Sequence, residues 1–200
     1  MDYDVLVLGG GIIGSAVAYE LSKYNLNIAL IEKDYDIADD VAMVNTDIVY
    51  DGTECKDGLM AKLEMMGNNM MEEVTSKFNV PFIRTGSLVI AEDEESIKTI
   101  EDIYLRAKKR GIDNVNIIDK NQVYKIEPNL NTVVKKALYS KSVGIISPYD
   151  LAIAYAEVAF DNGVIFRLEE EVLDIQKLST GLKVTTNKNK FKIGRASCRE

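Results

Sequence analysis

Apolar and polar positions along the chain change their period several times, and each change predicts an element. Residues 3–8 are a short run of aliphatic and β-branched side chains that ends on glycine, the pattern of a buried parallel strand. From 14 to 24 the apolar positions Ala16, Val17, Leu21 and Tyr24 take helical spacing, with the small residues Ser15, Ala16 and Ala18 where a helix must come close to a sheet. Residues 26–31 read as a second strand, which completes one strand–helix–strand unit. Periodicity then lapses from 33 to 57, a connection long enough to be functional in a compact domain, with some order expected at Asp47 to Tyr50.

Helical spacing resumes over 56–78 through Leu59, Leu63, Met66, Met70 and Val74. Its methionines (Met60, Met65, Met66, Met70 and Met71) are expected to pack adaptably in a core. Pro81 breaks that helix, a strand follows at 86–91, and a helix over 93–110 takes Asp93 as N-cap and Gly111 as stop. Strands at 115–118 and 134–139, with a short helix at 120–126 between them, complete an α+β block. Pro148 opens a helix that runs to Asn162 and closes at Gly163. Strands follow at 164–167, 171–175 and 182–186, the last two as a hairpin that ends in the polar run 187–190. The expected fold class is α/β, with a discontinuous Rossmann-like nucleotide domain over 1–78 and 144–192 and an inserted α+β domain over 79–143.

The last eight residues, 193–200, depart from the preceding pattern and match one reading frame of a sequencing-adapter oligonucleotide. They are expected to be a non-native tail, with the natural pattern truncated at Lys192.

Composition narrows the function. With 46% apolar and 28% charged residues the chain is an ordinary globular one, and a net charge of -8 argues against a nucleic-acid or anionic membrane surface. No run has the length of a membrane span. Two cysteines, Cys55 and Cys198, give neither a disulfide framework nor a metal cluster, so no metal is expected and a reducing cytoplasm is the expected compartment. Histidine is absent, so no step here can use an imidazole as base or relay.

The chemistry concentrates in Gly9-Gly10-Gly11-Ile12-Ile13-Gly14, a GxGxxG turn between strand and helix. Gly9 allows the tight turn, Gly11 admits a pyrophosphate against bare backbone, and Gly14 lets the helix lie on the strand. The helix start then offers unpaired N–H groups and the positive end of its dipole to the phosphates. Glu32 closes the second strand, 18 residues after Gly14, where a carboxylate accepts the ribose hydroxyls and repels a 2′-phosphate. Alone, such a turn is also met as a plain structural junction. Here the whole unit has the spacing of a dinucleotide site, with FAD and NAD both open.

Several segments together decide between them by resemblance. They are residues 3–33, Gly86-Ser87-Leu88-Val89-Ile90-Ala91, Glu127-Pro128-Asn129-Leu130, and Gly144-Ile145-Ile146-Ser147-Pro148 leading into Leu151. In these the chain resembles the D-amino-acid-oxidase-like superfamily of FAD enzymes, and within it the branch of FAD-dependent glycerol-3-phosphate dehydrogenase and L-2-hydroxyglutarate oxidase. The resemblance implies FAD as cofactor and oxidation of a small hydroxy or amino substrate by hydride transfer, most naturally glycerol 3-phosphate or a 2-hydroxy acid. It implies backbone N–H groups of Ile12 and Ile13 on the pyrophosphate, Glu32 and Lys33 beside the adenosine ribose, and backbone groups of Val172 at the adenine edge. It also aligns residues 44–50 with a flavin-lining loop, which makes Asn45 and Thr46 candidate cofactor contacts. There the chain departs from the family pattern: Thr46-Asp47 replaces Ser-Gly, and Tyr50 stands where histidine is common. Arg84 is a weaker candidate for an anionic substrate group. No catalytic residue is assigned, since the family's substrate-binding segments lie toward its C-terminal half, and the electron acceptor is open. An NAD-dependent dehydrogenase and an inactive nucleotide-binding fragment are the alternatives.

Overall fold

The computed structural model describes residues 2–130 and 133–198, without the side chains of 194–198. In chain order the strands are β1 (Tyr3–Leu8), β2 (Ile28–Ile31), β3 (Ile48–Val49), β4 (Phe82–Ile83), β5 (Ser87–Ala91), β6 (Val115–Asp119), β7 (Lys136–Ser140), β8 (Gly144–Ile146), β9 (Ile165–Arg167), β10 (Val172–Lys177), β11 (Leu182–Thr186) and β12 (Lys190–Cys198). The helices are α1 (Ile12–Leu21), α2 (Gly58–Phe78), α3 (Glu94–Lys109), α4 (Lys120–Ile126) and α5 (Pro148–Asp161). The chain divides into two compact units, Met1–Thr46 with Ser147–Glu200, and Asp47–Ile146.

The first unit is built on a six-stranded sheet of order β10-β11-β12-β1-β2-β9. Strands β12, β1, β2 and β9 run parallel, while β10 to β12 form an antiparallel meander. All four residues of β2 are buried, as a strand covered on both faces requires. Tyr3, Leu6, Ala29 and Ile31 pack with Val184, Phe191 and Ile193 in one cluster. Helices α1 and α5 pack together through the Tyr19 and Tyr155 rings, 5.3 Å apart, and through the Asn162 amide, which donates to the Ser22 hydroxyl at 3.0 Å.

Two sequence expectations change here. Helix α1 starts at Ile12, inside the glycine turn, and buries Ser15, Ala18 and Tyr19. Tyr24, expected on that face, lies beyond the helix and is 67% exposed. Ser15 and Ala18 are small because the turn brings this edge of the helix in close, which larger side chains at those two positions would not permit. The segment 193–198, left out of the expected elements, forms most of β12 and runs parallel to β1 from the pair Tyr3↔Ile193 to Leu8↔Cys198. Such a strand is held by backbone N–H and C=O groups that any non-proline sequence supplies, so its irregular side-chain pattern does not prevent pairing. The polar run 187–190 is the turn into this strand, with the Thr186 hydroxyl accepting from the amides of Lys188 and Asn189.

In the second unit, alternation along the sheet β5-β7-β6 sorts side chains onto two faces. Val89, Ala91, Val115, Ile117 and Leu138 meet Ile100, Ala107 and other residues of α3. Leu88, Ile90, Ile118, Ala137 and Tyr139 meet Val123 of α4. Helix α3 is capped as expected, by Asp93 in a reciprocal box with Ser96, and ends before Gly111 at φ 82°.

The expected boundary after residue 78 moves, because α2 belongs to this second unit. Its buried positions are Ala61, Asn68 and Thr75, one residue per two turns. The Asn68 amide donates to the carbonyls of Val49, Tyr50 and Ser142 at 3.3, 3.3 and 3.0 Å. Arg84 donates to the Asn68 side chain at 2.6 Å, to the Ser142 carbonyl, and to Glu72 at 3.0 Å. Its donors are thus engaged in tying α2 to β4 and the β7–β8 connection, which removes it as a candidate for an anionic substrate. The methionines are also corrected: Met65 joins a core cluster, whereas Met60, Met66 and Met70 are exposed together with Leu59 and Leu63. The helix presents its small and polar edge to the unit because only that edge admits the close hydrogen-bonded contact.

Replacing Asn68 with Ala leaves three carbonyls and a guanidinium short of a partner. It should lower the stability of this unit by about 2–3 kcal/mol, read by denaturant unfolding. Glu64 offers a pH-dependent counterpart. Burial first, and then the Asp51 charge, push its carboxyl above the ordinary value of 4.5. A raised carboxyl stabilises the fold below that value and loses the contribution as pH rises through its shifted pKa. Glu64→Gln should therefore raise stability near neutral pH by about 0.5 kcal/mol and give no gain in acid, as a comparison of midpoints at both pH values would show.

Candidate dinucleotide site

The site grows from the end of β1. Gly9 continues the ladder by donating to the Ile31 carbonyl at 2.8 Å and then turns the chain with φ 99°, a left-handed conformation that favours glycine. Gly11 is the N-cap of α1, no side chain caps the helix, and its first turn holds no acid. The N–H groups of Ile12, Ile13 and Gly14 are therefore a helix start's unsatisfied donors, at the positive end of the dipole. A Cβ at Gly14 would lie 1.8 Å from the Gly9 carbonyl oxygen, so the helix can approach only with glycine there.

Glu32 stands across from this turn, at the end of β2. Its carboxylate accepts from Gly10 N–H at 2.6 Å and from Asp34 N–H at 3.0 Å. Its own backbone remains in register with the neighbouring chain, donating to Arg167 and accepting from Glu170, both at 2.9 Å. A carboxylate has about four acceptor positions, so roughly half of this one's capacity is left for a ligand.

Between these walls lies a cavity of about 470 Å3. Gly9, Gly11, Ile12, Ile13 and Gly14 line one side. Glu32, Lys33, Asn45 and Val172 also line it, so nine of the ten candidate residues meet around one space. Thr46, the tenth, is not among the lining residues. Lys33 is exposed, and its ammonium pairs with Asp34 at 2.8 Å. Asp47, which stands where the family pattern has glycine, has φ 62°. Its backbone conformation is one that glycine adopts freely and aspartate tolerates, and this accounts for the departure physically. Cys55 donates weakly to the Asp57 carbonyl at 3.5 Å.

Other lining residues escaped the sequence reading. Asp34, Asp39 and Asp40 line the cavity from a stretch whose lack of periodicity carried no signal. Glu170 also lines it, at 2% exposure, although it belongs to a run of three glutamates that reads as a solvated surface. Glu169 has φ 55°, and this turn of the backbone accompanies the inward setting of its neighbour. Thr186 and Asn189 donate to the Glu170 carboxylate at 2.6 and 2.9 Å, and Arg167 lies 3.5 Å from it. Burial pushes this carboxyl upward, but those hydrogen bonds and the guanidinium outweigh it and hold the group below the ordinary glutamate range.

Comparison with known proteins places this geometry. A family model described as FAD dependent oxidoreductase matches residues 4–196. The chain is 42% identical over 190 residues to a glycerol 3-phosphate dehydrogenase of Caloramator mitchellensis, covering 94% of this chain and 40% of that protein. It is 33% identical over 147 residues to a mitochondrial L-2-hydroxyglutarate dehydrogenase of Caenorhabditis briggsae, covering 72% of this chain and 33% of the relative. Among solved structures, the dithionite-reduced L-alpha-glycerophosphate oxidase of Mycoplasma pneumoniae with FAD bound has a TM-score of 0.89 at 26% identity, covering 97% of this chain and 53% of that one. The chain thus spans about half or less of the length of the relatives it matches. No helix among the described residues is long and apolar enough to cross a membrane.

Gly14→Ala tests the geometry directly. The added methyl must displace either α1 or the Gly9 carbonyl, so dinucleotide affinity should fall at least about tenfold with a drop in melting temperature. Unchanged binding by calorimetry would refute the close-approach argument.

Proposed function

The chain belongs to the DAO family of FAD dependent oxidoreductases, and on that premise we propose that its first unit binds the adenosine diphosphate part of FAD. The observation that carries this reading is the uncapped start of α1 opening on a cavity whose far wall is the half-engaged Glu32 carboxylate. The residues fit the group. Backbone N–H groups of Ile12 and Ile13, with Gly11 bare beside them, hold the diphosphate. Glu32 accepts from the ribose hydroxyls, Lys33 flanks the same sugar, and the Val172 backbone meets the adenine edge. Asn45 lines the same cavity.

The proposed activity of the whole protein is oxidation of a small hydroxy substrate, glycerol 3-phosphate or a 2-hydroxy acid. Its support is the pair of relatives whose names carry those substrates. Bound flavin would supply the hydride-accepting chemistry. The part of this chain is to bind and orient: the helix dipole and amides hold the diphosphate, and Glu32 fixes the sugar while tying the glycine turn to the end of β2. The catalytic base is left unassigned.

Reconstitution tests the reading. The purified chain incubated with FAD should retain yellow colour and flavin absorbance through gel filtration, and NAD should not displace it. Glu32→Gln should weaken FAD binding by about tenfold, since a charge-assisted pair of hydrogen bonds is lost. Colourless protein, or a variant that binds as well as the parent, overturns the assignment. In a protein spanning the full family length, anaerobic bleaching by glycerol 3-phosphate or by L-2-hydroxyglutarate would decide the substrate.

A further inference from the structure

The cavity wall carries an unexpected charge for a site that takes a diphosphate. Six carboxylates line it, from Glu32, Asp34, Asp39, Asp40, Glu170 and Glu171, against the single ammonium of Lys33. Part of this charge is already answered. Glu32 accepts from two backbone amides. Glu170 is held by Thr186, Asn189 and Arg167. Lys33 and Asp34 answer each other at 2.8 Å.

Asp39 and Asp40 are different. Asp39 is half-buried and Asp40 exposed. Among the described residues neither forms an ion pair: the one ammonium lining the cavity is bonded to Asp34 and reaches Asp40 only as a longer-range attraction. Both sit on the turn that follows Ala38, whose N–H donates to the Gly10 carbonyl at 3.0 Å, so the acidic turn is tied to the glycine turn itself. The dipole of one helix start offers about half a positive charge, less than an anionic diphosphate brings.

We infer that Asp39 and Asp40 are affinity-determining residues of this site: an anionic rim that opposes the diphosphate and makes FAD binding strengthen as salt rises. The inference rests on the FAD reading of the cavity and refines it. Where a basic pocket holds phosphate, salt weakens binding by screening an attraction. Here screening removes a repulsion, and the sign reverses. Carboxylates that line the same cavity act on the diphosphate through solvent, each changing affinity by about threefold at low ionic strength.

The test is titration of the folded chain with FAD, ADP and adenosine at about 0.02 M and about 0.3 M salt. The parent chain is compared with Asp40→Asn and with the Asp39→Asn/Asp40→Asn pair, and circular dichroism checks that each is folded. The parent should bind FAD and ADP several-fold more tightly at high salt. The double variant should bind them about tenfold more tightly than the parent at low salt and lose the salt enhancement, and the single variant should fall between. Adenosine, which is uncharged, should respond to neither change. Parent affinity that falls with salt, or a folded double variant that binds FAD no better than the parent, overturns the inference while leaving the FAD site standing. If no protein binds FAD or ADP at either salt, the site reading fails and this inference with it.

Discussion

The contact between the start of α1 and the end of β1 is the constraint on which the nucleotide unit depends. With no side chain at Gly14 the helix can sit over the Gly9 carbonyl, and only then do its first N–H groups open on the cavity. The carboxylate of Glu32 secures the same turn from the other side by accepting from Gly10. One acid therefore serves two ends: it stabilises the turn that presents the amides, and it keeps acceptor capacity facing the space those amides serve. Backbone bonds from Glu32 to Arg167 and Glu170 extend the tie to the end of β9 and the residues that follow it.

The acids on the walls of this site differ in how they are held. Buried Glu170 remains below the ordinary carboxyl range because two side-chain donors and an arginine outweigh the cost of burial. Among the described residues Asp39 and Asp40 have no such set of donors, and Lys33, bonded to Asp34, adds only a longer-range attraction to Asp40. The cavity thus holds one acid secured by side-chain donors and two that are not, on the walls of the same space.

The second unit follows a different logic. Its sheet β5-β7-β6 is a straightforward two-faced one, with α3 on one face and α4 on the other. Its long helix α2 is held chiefly by polar contacts through Asn68 and Arg84. Apolar periodicity marked α2 as a helix but pointed to the wrong edge as the buried one. An Asn that satisfies three carbonyls is worth more at that position than a leucine that would leave them unpaired.

By itself the sequence determined the strand–helix–strand unit, the glycine turn, the acid at the end of β2, the capped helices α3 and α5, and the family. Each of these is encoded within a short window, by a period, a cap or a fixed spacing, so no distant partner is needed to recognise it. Tertiary structure alone decided which edge of α1 and of α2 is buried, that residues 193–198 pair with β1, and that Arg84 is spent on Asn68, Glu72 and Ser142. It also decided that Asp39, Asp40 and Glu170 share a wall with Glu32. The physical reason is common to all four: hydrogen bonds and charges between residues far apart in the chain leave no periodic trace, and a backbone ladder can recruit a strand whose side chains announce nothing.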